Sequence, residues 1–185
     1  MTPDEGTGGA VVIGVGNPMR RDDGVGHAVL EQLRARPALG VRLVALDGEP
    51  TRVLDAWTGA RVAVVVDAVR SAAAPGTVHV VEVTTSGGGE GDARPGVPPP
   101  SAAPASTHGA GLAEAVALGR TLDRVPARLV LVGVEALDVG DGPELSAPVL
   151  AAVPVAVDAV LAAVRGGRVA AQRSDSSSTK HSVRP

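Results

Sequence analysis

The chain has 185 residues, 44% of them hydrophobic, and a net charge of −3, which suits one globular domain with tails and offers no phosphate-attracting surface. It has no cysteine, no Phe and no Tyr, and a single Trp, Trp57, which excludes disulfides, thiolate metal sites, a cysteine nucleophile and nucleic-acid binding by aromatic stacking. The acidic start MTPDEGTGGA lacks the basic segment of a signal peptide, and the apolar runs read as too short to span a bilayer, so a cytoplasmic protein with neither membrane nor nucleic acid as partner is expected.

Residues 1–9 read as a loose N-terminus. Ala10 to Val15 is an apolar, β-branched strand that breaks into the turn Gly14-Val15-Gly16-Asn17-Pro18. A helix from Gly24 to Ala35 follows the doubled acid Asp22-Asp23 and turns Val25, Ala28, Val29, Leu30 and Leu33 inward. One alternative for this stretch is a dinucleotide loop, because Gly14 and Gly16 match the first two glycines of G-x-G-x-x-G and Asp47 could mimic the ribose-binding acid. Met19 stands at the third glycine, however, and Pro18 lacks an amide that a pyrophosphate cradle would use.

A second strand, Val41 to Leu46, leads to a short helix over Thr51–Trp57, and the cleanest strand is Val62 to Val66, closed by Asp67. Its continuous apolar run fits a parallel strand buried on both faces. The link Ala68–Gly76 is too short for a helical crossover, so the strand Thr77–Val83 is expected to run antiparallel to its partner. Alternation there is imperfect, since Val78, Val80 and Val83 cannot share one face. Residues 84–106, rich in Gly and Pro, read as a flexible loop that brings the chain back to the site edge. It delivers Thr107-His108-Gly109 to a helix from Gly111 to Leu122. The last strand, Leu129 to Val134, ends at Glu135, and an acidic loop with Asp138, Asp141 and Glu144 follows. Ser146, with Pro148 just inside, starts a final helix to Val164, and residues 166–185 read as a disordered tail. The fold expected over residues 10–165 is a single α/β domain: a twisted, mostly parallel five-stranded sheet with one antiparallel strand and helices on both faces.

In such a sheet the ligand crevice lies at the carboxyl ends of the strands. Asp23 (with Asp22), Asp67 and His108 all come to that edge. For Asp67 the competing role is a turn cap, and for His108 a solvated loop position; His27, His79 and His181 read as flank, strand and tail residues. Two carboxylates and an imidazole form an O,O,N set suited to nickel, zinc or manganese, with positions left open. H-E-x-x-H and G-x-S-x-G are both missing, which argues against a zincin and a serine-hydrolase elbow.

The loop G-x-G-N-P-x-x-x-D-D-G-x-G, the strand end V-V-D-A-V (Val65–Val69) and S-T-H-G-x-G-L-A-E-A (Ser106–Ala115) resemble the nickel–iron hydrogenase maturation endopeptidases. Gly133–Glu135 and Leu145–Val149 are similar too, so the resemblance covers about residues 10–164. It implies that Asp23, Asp67 and His108 are the catalytic and nickel-binding residues. It also implies that the partner is a nickel–iron hydrogenase large-subunit precursor, which loses a C-terminal extension after nickel insertion, with nickel presented by the substrate. A monomer is expected. Whether the metal or a carboxylate (Asp23 or Asp67) activates water stays open. The alternative is a non-catalytic nickel-sensing or chaperone module that binds a metalloenzyme precursor. The segment Asp47–Arg52 departs from the family's common Asp-Gly-Gly-Thr, and the 84–106 loop is longer than in the family, so the identity of the processed hydrogenase is left open.

Overall fold

A computed structural model describes residues 9–36, 40–83, 105–106 and 109–166. The expected leader (residues 1–8), most of the Gly/Pro loop (84–104), His108 and the tail from 167 lie outside the described residues.

Valine-rich runs set the sheet. β-Branched side chains favour the pleated, fully covered surface that central strands require. β1 (Ala10–Val15), β2 (Arg42–Leu46), β3 (Val62–Arg70) and β6 (Arg128–Glu135) are parallel, and β4 (Val78–Val83) is antiparallel, in the order β2-β1-β3-β6-β4. A two-residue strand, β5 (Ala105–Ser106), pairs antiparallel with Val69 and Arg70 of β3. Helices α1 (Val25–Arg34) and α4 (Ala147–Val164) cover one face, α2 (Pro50–Trp57) and α3 (Gly109–Thr121) the other.

Alternation divides the core between the faces. Val64, Val66 and Ala68 of β3 and Val130, Val132 and Val134 of β6 pack toward α1 and α4. Ala63, Val65, Leu129 and Leu131 pack toward α2 and α3, where Trp57 is fully buried. With almost no aromatics, cohesion comes from many small side chains, each fully buried Val or Leu contributing about 1.5–3 kcal/mol. The irregular valines of β4 follow from this layering: Val78 and Val80 join the α1/α4 side, Val81 and Val83 the other.

The structure corrects three expectations and adds one element. β3 does not stop before Asp67 but runs to Arg70, because β6 pairs with it as far as Val69 and β5 supports its end. β4 is antiparallel, yet its partner is β6, which enters the sheet between β3 and β4 although it follows both in the chain. A short link fixes a strand's direction and leaves its neighbour undetermined. Between the glycine loop and α1 stands a 3-10 turn, Arg21–Gly24. Finally, α4 is 18 residues long and apolar enough to cross a membrane by length and composition. Its inward stripe, including Val149, Val153, Val157 and Val160, is buried in the core against the sheet and α1.

Candidate active site

β1 pairs with β3 only as far as Gly14 opposite Val66, and β3 continues past it. β5 pairs with β3 further on, along the edge that β6 leaves open, opposite Val69 and Arg70. The step between the end of β1 and β5 is a notch at Asp67. The 3-10 turn carrying Asp22 and Asp23 packs against β3, and α1 lies so close that a methyl on Gly26 would come within 2.8 Å of the Val66 carbonyl oxygen. Of the two expected acids, Asp23 stands on the turn that packs against β3 and Asp67 within β3 itself, and each is only 1% exposed. β5 holds Ser106 beside Val69, and α3 opens at Gly109. His108 itself lies outside the described residues. Among the described residues, no three His, Asp or Glu side chains group to hold a metal ion.

The glycine loop is shaped around Asp23. Asn17 N donates to Asp23 Oδ2 at 2.9 Å, and Asp23 N donates to the Arg20 carbonyl at 3.0 Å. Gly16 has φ +129°, and a Cβ there would fall 1.8 Å from the Asp23 carbonyl oxygen, so only glycine fits. His27, expected to be a simple helix-flank residue, has Nε2 2.9 Å from the Gly16 carbonyl. A carbonyl only accepts, so Nε2 carries a proton and donates. This bond ties the loop to α1 from the side opposite β2, where Gly16 N donates to Leu46 O.

Asp22 behaves differently from its neighbour. It is fully buried, and its carboxylate accepts from Ser146 N (2.7 Å, at Oδ1) and from Leu137 N, Asp138 N and Ser146 Oγ (2.9 Å each, at Oδ2). Ser146 caps α4 with no side-chain bond to its own helix; its hydroxyl is spent on Asp22. Glu135, also buried, accepts from Ser71 N (2.7 Å) and Ser71 Oγ (2.8 Å), with His79 Nε2 at 3.3 Å. This cluster anchors the β3–β4 connection, so His79 is more than a passive strand residue. The sequence brought out Asp22, Glu135 and Ser146 without their partners.

Asp47 pairs with Arg52 at 3.3 Å, which occupies the acid that a dinucleotide reading needed. Glu49 caps α2, accepting from Thr51 Oγ1, Thr51 N and Arg52 N. The Thr51 hydroxyl, followed by the Arg52 and Thr51 amides, holds the Glu49 carboxyl below its ordinary range. The departure at Asp47–Arg52 is therefore a helix cap.

The profile of hydrogenase maturation proteases (HycI) matches residues 28–163. The chain belongs to the hydrogenase maturation protease family. The matched range takes in Asp67 and begins just beyond Asp23. The chain is 28% identical over 163 residues to the hydrogenase expression/formation protein HupD of Rhizobium leguminosarum bv. viciae, covering 86% of this chain and 76% of that protein. Among solved structures it is similar to the hydrogenase maturating endopeptidase HybD from E. coli, with a TM-score of 0.69, 25% identity, and 85% and 93% of the two chains covered. It is also similar to an endopeptidase from Escherichia coli solved in solution, with a TM-score of 0.68, 26% identity, and 91% and 99% covered. The family's fold is the mixed sheet described above, and its activity is that of a peptidase.

Proposed function

We propose that this protein removes the C-terminal extension of a nickel–iron hydrogenase large-subunit precursor after nickel insertion. The observation that supports the reading is the pair of buried acids, Asp67 in β3 and Asp23 on the turn packed against β3, in a chain of this family. Oxygen donors held on a strand and a backbone-clamped turn suit a divalent ion of the nickel, zinc or manganese type, and His108 is the third donor. Nickel arriving with the precursor would be held by Asp23, Asp67 and His108 and would supply Lewis acidity for the hydrolysis. A carboxylate of the Asp23 and Asp67 pair would take the proton of the attacking water. Cutting only a metal-loaded precursor makes the reaction an inspection of the finished site. The protein acts in the cytoplasm as a monomer.

The test is mass spectrometry of purified precursor, with and without nickel, after incubation with the protein. One cut near the C-terminus of the nickel form, and an intact nickel-free form, is the expected result. Equal cutting of both forms ends nickel gating. No cutting of either favours a module that binds the precursor without hydrolysing it.

A further inference from the structure

Asp22 is a buried carboxylate for which peptide hydrolysis, as proposed, has no use. Among the described residues no cation pairs with it; its four partners are three backbone amides and one hydroxyl. Those partners all belong to the segment between β6 and α4, more than a hundred residues away in sequence. The surrounding backbone is stitched to the same segment. Asp22 N donates to Asp138 O (3.0 Å), Arg21 N to Gly142 O (2.7 Å), and Gly142 N to Met19 O (2.9 Å). Arg21 adds an ion pair to Asp138 at 3.3 Å. Arg21 also adopts φ +45°, a left-handed conformation that persists in a non-glycine residue only where its surroundings over-determine it. The next residue but one is Asp23, whose Oδ2 is held by Asn17 N.

We infer that Asp22 is a positioning residue: it locks the strained turn onto the β6–α4 segment and so fixes where the Asp23 carboxylate stands in the notch. The inference rests on the proposed role of Asp23. Three of the four donors can only donate, so the site accepts a carboxylate and rejects an amide. In Asp22→Asn the NH2 group must face either Ser146 N or the Leu137 and Asp138 amides, and the donors then repel. The turn shifts, and Asp23 moves with it.

The Asn17 amide reports this without any assay of activity, because it donates to Asp23 itself. In folded Asp22→Asn protein, the Asn17 N–H resonance moves upfield and its hydrogen exchange speeds up. With nickel-loaded precursor, kcat falls by roughly 10- to 100-fold, the scale of a misplacement of about 1 Å, while KM stays within about twofold, since Asp22 is buried and touches no substrate. Ser146→Ala, which removes one donor of the four, shifts the same amide less and slows cleavage less; Ser146→Thr, which keeps the hydroxyl, restores both. If Asp22→Asn does not fold, Ser146→Ala carries the test alone. An unmoved Asn17 amide in either folded variant, with kcat unchanged, overturns the inference and leaves Asp22 as a staple of the fold. A displaced amide with undiminished cleavage supports the positioning of Asp23 and overturns the catalytic role of Asp23 instead, which full activity in Asp23→Asn would corroborate.

Discussion

Replacing Gly16 by alanine tests the glycine loop most severely. The new Cβ would sit 1.8 Å from the Asp23 carbonyl oxygen, against an ordinary C···O contact of about 3.3 Å, so roughly 1.5 Å must be opened. The obstacle is backbone, and that backbone is held by the Asp23 N–Arg20 O and Gly16 N–Leu46 O hydrogen bonds, so no side chain can simply rotate away. Overpacking of this kind costs about 1–3 kcal/mol. A φ of +129°, comfortable for glycine alone, adds about 1–3 kcal/mol of strain for alanine. Together they amount to roughly 2–6 kcal/mol, a large part of a typical domain's 5–15 kcal/mol. For a domain of this size the midpoint should fall by roughly 5–20 °C. Any relaxation displaces Asp23 by more than about 1 Å, so cleavage should drop at least about 100-fold even in the folded fraction. Thermal unfolding followed by circular dichroism, with cleavage measured well below the midpoint, reads both effects. A Gly16→Ala protein that melts within about 2 °C of wild type and cuts at the wild-type rate would refute the reasoning.

Asp67→Asn keeps the shape of a side chain buried inside β3 and removes its charge, so the fold should survive while precursor cleavage falls at least about 100-fold; unaltered cleavage removes Asp67 from the mechanism. At Glu49 the sign follows from the depressed folded value. Its stabilising contribution is fully present above the unfolded value, near 4.5, and is lost as pH falls through the lower folded one. Wild type should therefore lose stability on acidification below about pH 4.5 more steeply than Glu49→Gln, measured by urea midpoints across the acid range; parallel profiles would show that the cap carries no such linkage.

Much of the fold was legible because the physics is local. The runs Val11–Val15 and Val62–Val66, the stripe of α1, and Ser146 with Pro148 at the head of α4 announce themselves within a few residues of sequence. Asp67 looked like a strand end because an acid interrupts the valines, yet pairing with Gly133 and, beyond it, of Val69 with Glu135 extends β3 past it. Nothing near β4 reveals that β6 intervenes. At the site, the doubled acid signalled chemistry, but composition and spacing did not tell the two carboxylates apart; the family resemblance singled out Asp23. What separates them is that the partners of Asp22 lie at positions 137, 138 and 146, a separation at which no periodicity operates. The roles of His27 and Glu135 escaped for the same reason: their hydrogen bonds reach across the fold to Gly16 and Ser71.

The insertion of β6 between β3 and β4 fixes an order of assembly. A chain emerging from the ribosome, at roughly 5–20 residues per second, presents β1, β2, β3 and β4 long before the strand that joins the last two. Until Arg128–Glu135 appears, β3 and β4 have no common neighbour, and each offers an unsatisfied apolar edge to other chains. The segment that clamps Asp22 follows later still, at Leu137 to Ser146. A nascent protein therefore carries the Asp22–Asp23 turn before the segment that clamps it exists. Proteolytic competence waits for Leu137 to Ser146, which follows β6 in the chain.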